Sequence, residues 1–167
     1  LNLRTPADGM ILEYTFADNK GYVSYSPRCT FYGYRYINVI ADAEVTIRSV
    51  VSVPVTSIAL EDETGHITTG NEDINKLISN TLWGMYSNYL SVPTDCPQRN
   101  ERLGWTADTQ VFTETGTFFA GTDRFMHKWM RDMRDTQTEL GGFPGVAPIA
   151  QYGASRNNMM RLGWADA

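Results

Sequence analysis

The chain has 167 residues, of which 42% are hydrophobic and 20% charged, and its formal net charge is −5 at pH 7. That size suits one ordinary domain or parts of two, and the balance reads as folded rather than disordered. No basic cluster appears and no apolar run approaches the length that spans a bilayer, so neither nucleic acid nor membrane is an expected partner.

The first ten residues, LNLRTPADGM, lack a charged segment followed by an apolar core, so they do not read as a signal peptide; the compartment stays open. Two cysteines, Cys29 and Cys96, are far apart and show no metal spacing. They read as two unrelated buried thiols, with a disulfide left open. The two histidines, His66 and His127, are not paired at ligand spacing, so neither a zinc site nor a cofactor is expected. Aromatic residues make up 12%, with nine Tyr and four Trp, which suits a carbohydrate-contacting surface without establishing one.

In chain order, residues 1–69 read as β-rich. ILEYTF at 11–16 alternates and is followed by turn residues, ADNKG. Residues 29–40 form a strand candidate with Tyr32, Tyr34 and Tyr36 on one face, interrupted by Gly33, which marks a bulge or a close backbone approach. Val45, Ile47, Val51, Val53 and Val55 extend the β-branched pattern. Short strands with turns between them point to part of a β-sandwich. The tyrosine face would serve as a sugar platform or, more simply, pack on a neighbouring layer.

Near Gly70 the period changes from two to 3.6. Asn71 is placed to cap a helix whose first turn carries Glu72 and Asp73, and Ile74, Leu77, Ile78, Leu82, Met85, Tyr86 and Tyr89 keep a three-four spacing. The helix must end before Pro93 and Pro97. A second helix is expected from near Thr106 to about Ala120. A third, capped by Thr122 or Asp123, is expected to bury Phe125, Met126, Trp129, Met130 and Met133. Its other face, with Lys128, Arg131, Asp132, Arg134 and Asp135, reads as solvated and salt-bridged. Residues 143–153 read as loop.

Between the first two helices lies PTDCPQRNERLGWTADTQ, residues 93–110, which crowds Asp95, Arg99, Glu101, Arg102, Trp105 and Asp108 together. Such a set suits sugar chemistry: a carboxyl group supplies the acid, arginines donate in a fork, and an indole face packs on a sugar ring. The plainer alternative is a polar interhelical loop tied by Asp–Arg pairs.

The run DCPQRNERLGWTAD resembles the signature of the bacterial α-L-rhamnosidases, glycoside hydrolase family 78. It departs at Asn100, where Asp is usual, and at Ala107, where Gly is usual. The GWADA at residues 163–167 looks like the family's Gly-Trp-Gly-Asp-Ala. Weaker similarity reaches back to about Pro27. The resemblance implies a β-sandwich portion over residues 1–69. Residues 70–167 would then be antiparallel helical hairpins, the beginning of an (α/α)6 barrel. It implies Glu101 as the general acid of an inverting hydrolase of terminal α-L-rhamnosides, with Asp95, Arg99, Trp105, Asp108 and Trp164 binding the sugar. In the family the general base is a glutamate in later helices, so it is expected outside this chain, which would then be a fragment with little activity of its own. The expected partner is a rhamnose-containing glycoside or polysaccharide, with self-association through uncovered helical surface. Arg102 would anchor the loop or, alternatively, lower the pKa of Glu101. The rival functions are a non-catalytic carbohydrate-binding module, a structural or interaction module, and a helical toroid acting on another sugar.

Overall fold

In the computed structural model, residues 11–17, 21–99 and 102–149 are described. Helix α1 spans Glu72–Asn88 and starts where the sequence places its cap. The side chain of Asn71 accepts from the backbone N–H of Asp73 and Ile74 at 2.9 and 3.3 Å, meeting two of the donors a helix start leaves unpaired. Glu72 and Asp73 lie in the first turn, at the positive end of the helix dipole.

The chain leaves α1 directly into a small antiparallel pair, β1 (Tyr89–Leu90) and β2 (Val92–Pro93). Ser91 turns between them at φ 65°. Its N–H donates to the Ser57 hydroxyl at 2.8 Å, and its carbonyl accepts from Nζ of Lys128 at 3.1 Å. Helix α2 spans Thr106–Phe119 and α3 spans Asp123–Asp135. The residues from 57 to 65 clip these elements together. Ser57 N–H donates to the Tyr89 carbonyl, Thr64 and Gly65 donate to that of Phe119, and Gly121 donates to that of Asp62.

Two apolar clusters hold the helices. Ile58, Met85, Tyr86, Tyr89, Phe119, Ala120 and Phe125 form the first. Within it the Tyr89 and Phe125 rings stack with centroids 4.7 Å apart, an arrangement contributing about 0.5–1.5 kcal/mol beyond its buried area. The second joins Trp129 and Met133 of α3 to Ala147, with Val92, Met126 and Phe143 packed against it. The indole N–H of the buried Trp129 donates to the Ala147 carbonyl at 2.9 Å, so the one polar group of that side chain is satisfied.

Among the described residues the expected β-sandwich portion of residues 1–69 is not there. Among the described residues before Leu60 there is no strand and no helix. Val51, Val53 and Ile40 are 76%, 76% and 87% exposed, and Tyr34 and Tyr36 are exposed as well. An alternating sequence becomes a strand only when a neighbouring strand takes its N–H and C=O groups and a second layer covers its apolar face. Among the described residues neither partner is present.

Smaller corrections follow from the same packing. Met130 is half-exposed, because the surface covering α3 reaches the stripe of Phe125, Met126, Trp129 and Met133 and stops short of it. Ile74 and Leu77, on the first turns of α1, are exposed too, so only the second half of the apolar stripe is packed. Neither Cys29 nor Cys96 is in a disulfide, and only Cys96 is buried; Cys29 is exposed. Among the described residues no helix is long and apolar enough to cross a membrane.

Candidate active site

The segment between β2 and α2 carries most of the chemistry. Pro93 and Pro97 keep it from continuing as helix. Asp95 and Arg99 come together there, with Nη2 of Arg99 3.5 Å from Oδ2 of Asp95 and side chains only 16% and 12% exposed respectively. The buried Cys96 sits between them. Its thiol lies 3.0 Å from Oδ2 of Asp95, and Nε of Arg99 donates to its sulfur at 2.9 Å. Burial, reinforced by the hydrogen bond and charge of Asp95, pushes this thiol up to about 11 despite the opposing hydrogen bonds from the Arg99 side chain and the Arg102 backbone. At neutral pH it is therefore a protonated S–H that donates to the carboxylate. Oδ1 of Asp95 is buried and has no hydrogen-bond partner among the described residues.

The segment is held from two sides. On one side stands the chain around Phe31. The Arg102 guanidinium lies 4.0 Å over the Phe31 ring, and its Nη2 donates to the Phe31 carbonyl at 2.8 Å. These contacts hold Arg102 at φ 48°, a left-handed conformation that costs about 1–2 kcal/mol in an L residue. Arg102 is thus an anchor. Gly33 makes the close backbone approach its position in the sequence suggested: a Cβ there would stand 2.9 Å from the Gln98 nitrogen and the Pro97 carbonyl carbon. On the other side, the stretch from 144 to 147 pairs with residues 104–106. Trp105 bridges Val146, Ala147 N–H donates to the Gly104 carbonyl, and Thr106 donates to that of Gly145 through both its N–H and its hydroxyl.

Trp105 therefore stands at the entrance of α2, half-buried and fixed by backbone pairing. Asp108 lies in the first turn of α2, exposed, at the positive end of the helix. The structure brings Asp95 and Arg99 into contact and sets Trp105 and Asp108 on the adjoining helix start. Glu101 and Trp164 lie outside the described residues. Sequence reasoning missed Cys96, Phe31 and Val146. Cys96 was legible as the residue between two charged partners. The other two are brought in only by folding.

Residues 62–167 match the family described as the bacterial alpha-L-rhamnosidase 6 hairpin glycosidase domain. The chain belongs to this family. The alpha-L-rhamnosidase of Formosa agariphila is 37% identical to it over 155 residues, which cover 92% of this chain and 16% of that protein. The alpha-L-rhamnosidase of Streptomyces avermitilis is 42% identical over 155 residues, covering 89% of this chain and 14% of that one. The crystal structure of a Streptomyces avermitilis alpha-L-rhamnosidase complexed with L-rhamnose superposes with a TM-score of 0.54 and 46% identity, over 57% of this chain and 9% of that chain. The chain thus spans about a sixth of the length of the rhamnosidases it matches. The family match includes the sequence from Asp95 to Asp108 and the helices α1, α2 and α3, and leaves out Phe31 and Gly33, which pack on Arg102 and on the Pro97–Gln98 backbone.

Proposed function

We propose that residues 70–167 are the first part of an (α/α)6-barrel catalytic domain, in an inverting α-L-rhamnosidase that hydrolyses terminal α-L-rhamnosides. Glu101 is the general acid, protonating the leaving oxygen. A carboxylate outside residues 1–167 is the base that activates water on the opposite ring face, the two standing about 6.5–9.5 Å apart to admit that water. Asp95, Arg99, Asp108, Trp105 and Trp164 bind the sugar. Carboxylates accept its hydroxyls, the guanidinium donates to them, and the indoles form an apolar wall suited to a 6-deoxy sugar with its methyl group.

The observation that most supports this assignment is the buried Oδ1 of Asp95, unpaired among the described residues, in a loop matched to the rhamnosidase family. Leaving a buried polar atom unpaired costs about 1–3 kcal/mol, more for a charged group. A sugar hydroxyl donating to Oδ1 removes that cost, which gives the site a reason to bind a polyol.

The test is release of aryl alcohol from an aryl α-L-rhamnoside by the full-length protein that carries this segment, beside its Glu101→Gln variant. Turnover is expected in the first and a fall of about 100-fold or more in the second, the scale of a lost general acid. Following the product by NMR should show β-L-rhamnose formed first. A fucoside or glucoside cleaved in preference to the rhamnoside would overturn the substrate assignment, and α-L-rhamnose formed first would overturn inversion.

A further inference from the structure

Cys96 has no part in the chemistry proposed above, yet it occupies the centre of the Asp95–Arg99 pair. The direct contact between those two is loose. At 3.5 Å, Nη2 to Oδ2 is well beyond the 2.7–2.9 Å of a charge-assisted hydrogen bond. The sulfur fills the gap, with 3.0 Å to Oδ2 of Asp95 and 2.9 Å to Nε of Arg99. These are short for contacts to sulfur, and Cys96 is buried, so water does not compete for them. Asp95 and Arg99 are four residues apart on an irregular loop, where no helix or strand fixes their side chains.

We propose that Cys96 is a positioning residue of the sugar site, its thiol donating to Oδ2 of Asp95 and accepting from Nε of Arg99, so that Oδ1 of Asp95 stays turned toward a sugar hydroxyl. The role rests on the rhamnosidase function proposed above. With Oδ2 engaged by the thiol and approached by the guanidinium, the carboxylate cannot rotate without giving up both contacts, and Oδ1 is left as the acceptor. A thiol suits this place because it reaches two partners from one short side chain and, held protonated by its surroundings, adds no second negative charge beside Asp95.

The experiment is a double-mutant cycle on kcat/KM for an aryl α-L-rhamnoside, in the full-length enzyme, with Cys96→Ala, Asp95→Asn and the double variant. Cys96→Ala should lower kcat/KM about tenfold, the scale of one lost hydrogen bond to a charged group, through KM more than through kcat. Cys96→Ser, which keeps a donor and an acceptor, should recover most of that loss. In the Asp95→Asn background, Cys96→Ala should cost less than about twofold, because the residue it positions has already been altered. If Cys96→Ala does not accumulate folded, Cys96→Val takes its place, filling the volume without the hydrogen bonds. An unchanged kcat/KM in Cys96→Ala overturns the role. So does a loss of equal size with and without Asp95→Asn, which would mark the side chain as packing alone. A wild-type enzyme that leaves the rhamnoside intact overturns the proposed function and this role with it, whereas an active wild type indifferent to Cys96 overturns this role only.

Discussion

A methyl group at position 104 would stand 2.3 Å from the Ala147 carbonyl oxygen and 3.0 Å from Nε1 of Trp129. That oxygen accepts the Trp129 indole N–H, and the Gly104 carbonyl accepts the Ala147 N–H. One glycine thus lets the motif segment lie flush against the 144–147 stretch. Gly104→Ala is expected to destabilise the protein by roughly 1–3 kcal/mol, as crowding a packed site does. Urea unfolding monitored by tryptophan fluorescence checks this, and an unchanged midpoint would mean the two backbones separate without cost. Trp105 and Val146 belong to the same contact, which fixes the tryptophan through its backbone at the start of α2. None of these pairings can be seen in the motif alone, since each joins residues either 18 or about forty positions apart.

Helix α1 is the element whose limits are most legible in the local sequence. Asn71 is its cap, acidic residues fill its first turn, and the chain leaves helical geometry ahead of Pro93. These are local effects, and local sequence reports them. What it does not report is coverage. The apolar spacing runs from Ile74 to Tyr89, yet Ile74 and Leu77 are exposed while Met85, Tyr86 and Tyr89 are buried. The first turns of α1 therefore depend on capping more than on packing. Asn71→Ala should cost about 1 kcal/mol and speed amide exchange in the first turn of α1, with little change at Met85 or Tyr86. Equal acceleration along the whole helix would contradict that division. In α3 the charged face is paired as expected, Lys128 with Asp132 and Arg134 with Asp135, but such exposed pairs contribute only about 0–1 kcal/mol each. The buried stripe of Phe125, Trp129 and Met133 is what holds that helix.

At the scale of the molecule, the two tyrosines at the end of α1 tie stability to alkaline pH. Burial pushes Tyr89 up to about 12, and burial, followed by the hydrogen bond it donates to Glu63, pushes Tyr86 up to about 12, each from 10. A folded-state value raised above the unfolded one means that the native protein holds its proton when the unfolded chain has lost it. The stability linked to these groups is therefore complete below about pH 10 and is lost as pH rises through about 12. The melting temperature is expected to fall between about pH 10 and 12, and to fall less in Tyr89→Phe, which removes a buried hydroxyl that has no partner among the described residues. A slope unchanged by Tyr89→Phe would assign the alkaline loss to other groups.

By itself, the sequence determined the helices α1, α2 and α3, the break at the prolines and the family, because each depends on neighbours within a few residues or on a long contiguous motif. Tertiary structure decided the rest. Among the described residues it withheld the strands that the alternating pattern before Leu60 suggested, because strands need hydrogen-bonding partners that composition cannot supply. It also drew Phe31 and Gly33 onto Arg102 and the Pro97–Gln98 backbone, drew Val146 and Ala147 onto residues 104–105, and set a thiol between Asp95 and Arg99. Those contacts join segments distant in the chain or depend on the side-chain geometry of an irregular loop, and the sequence encodes neither in any local pattern.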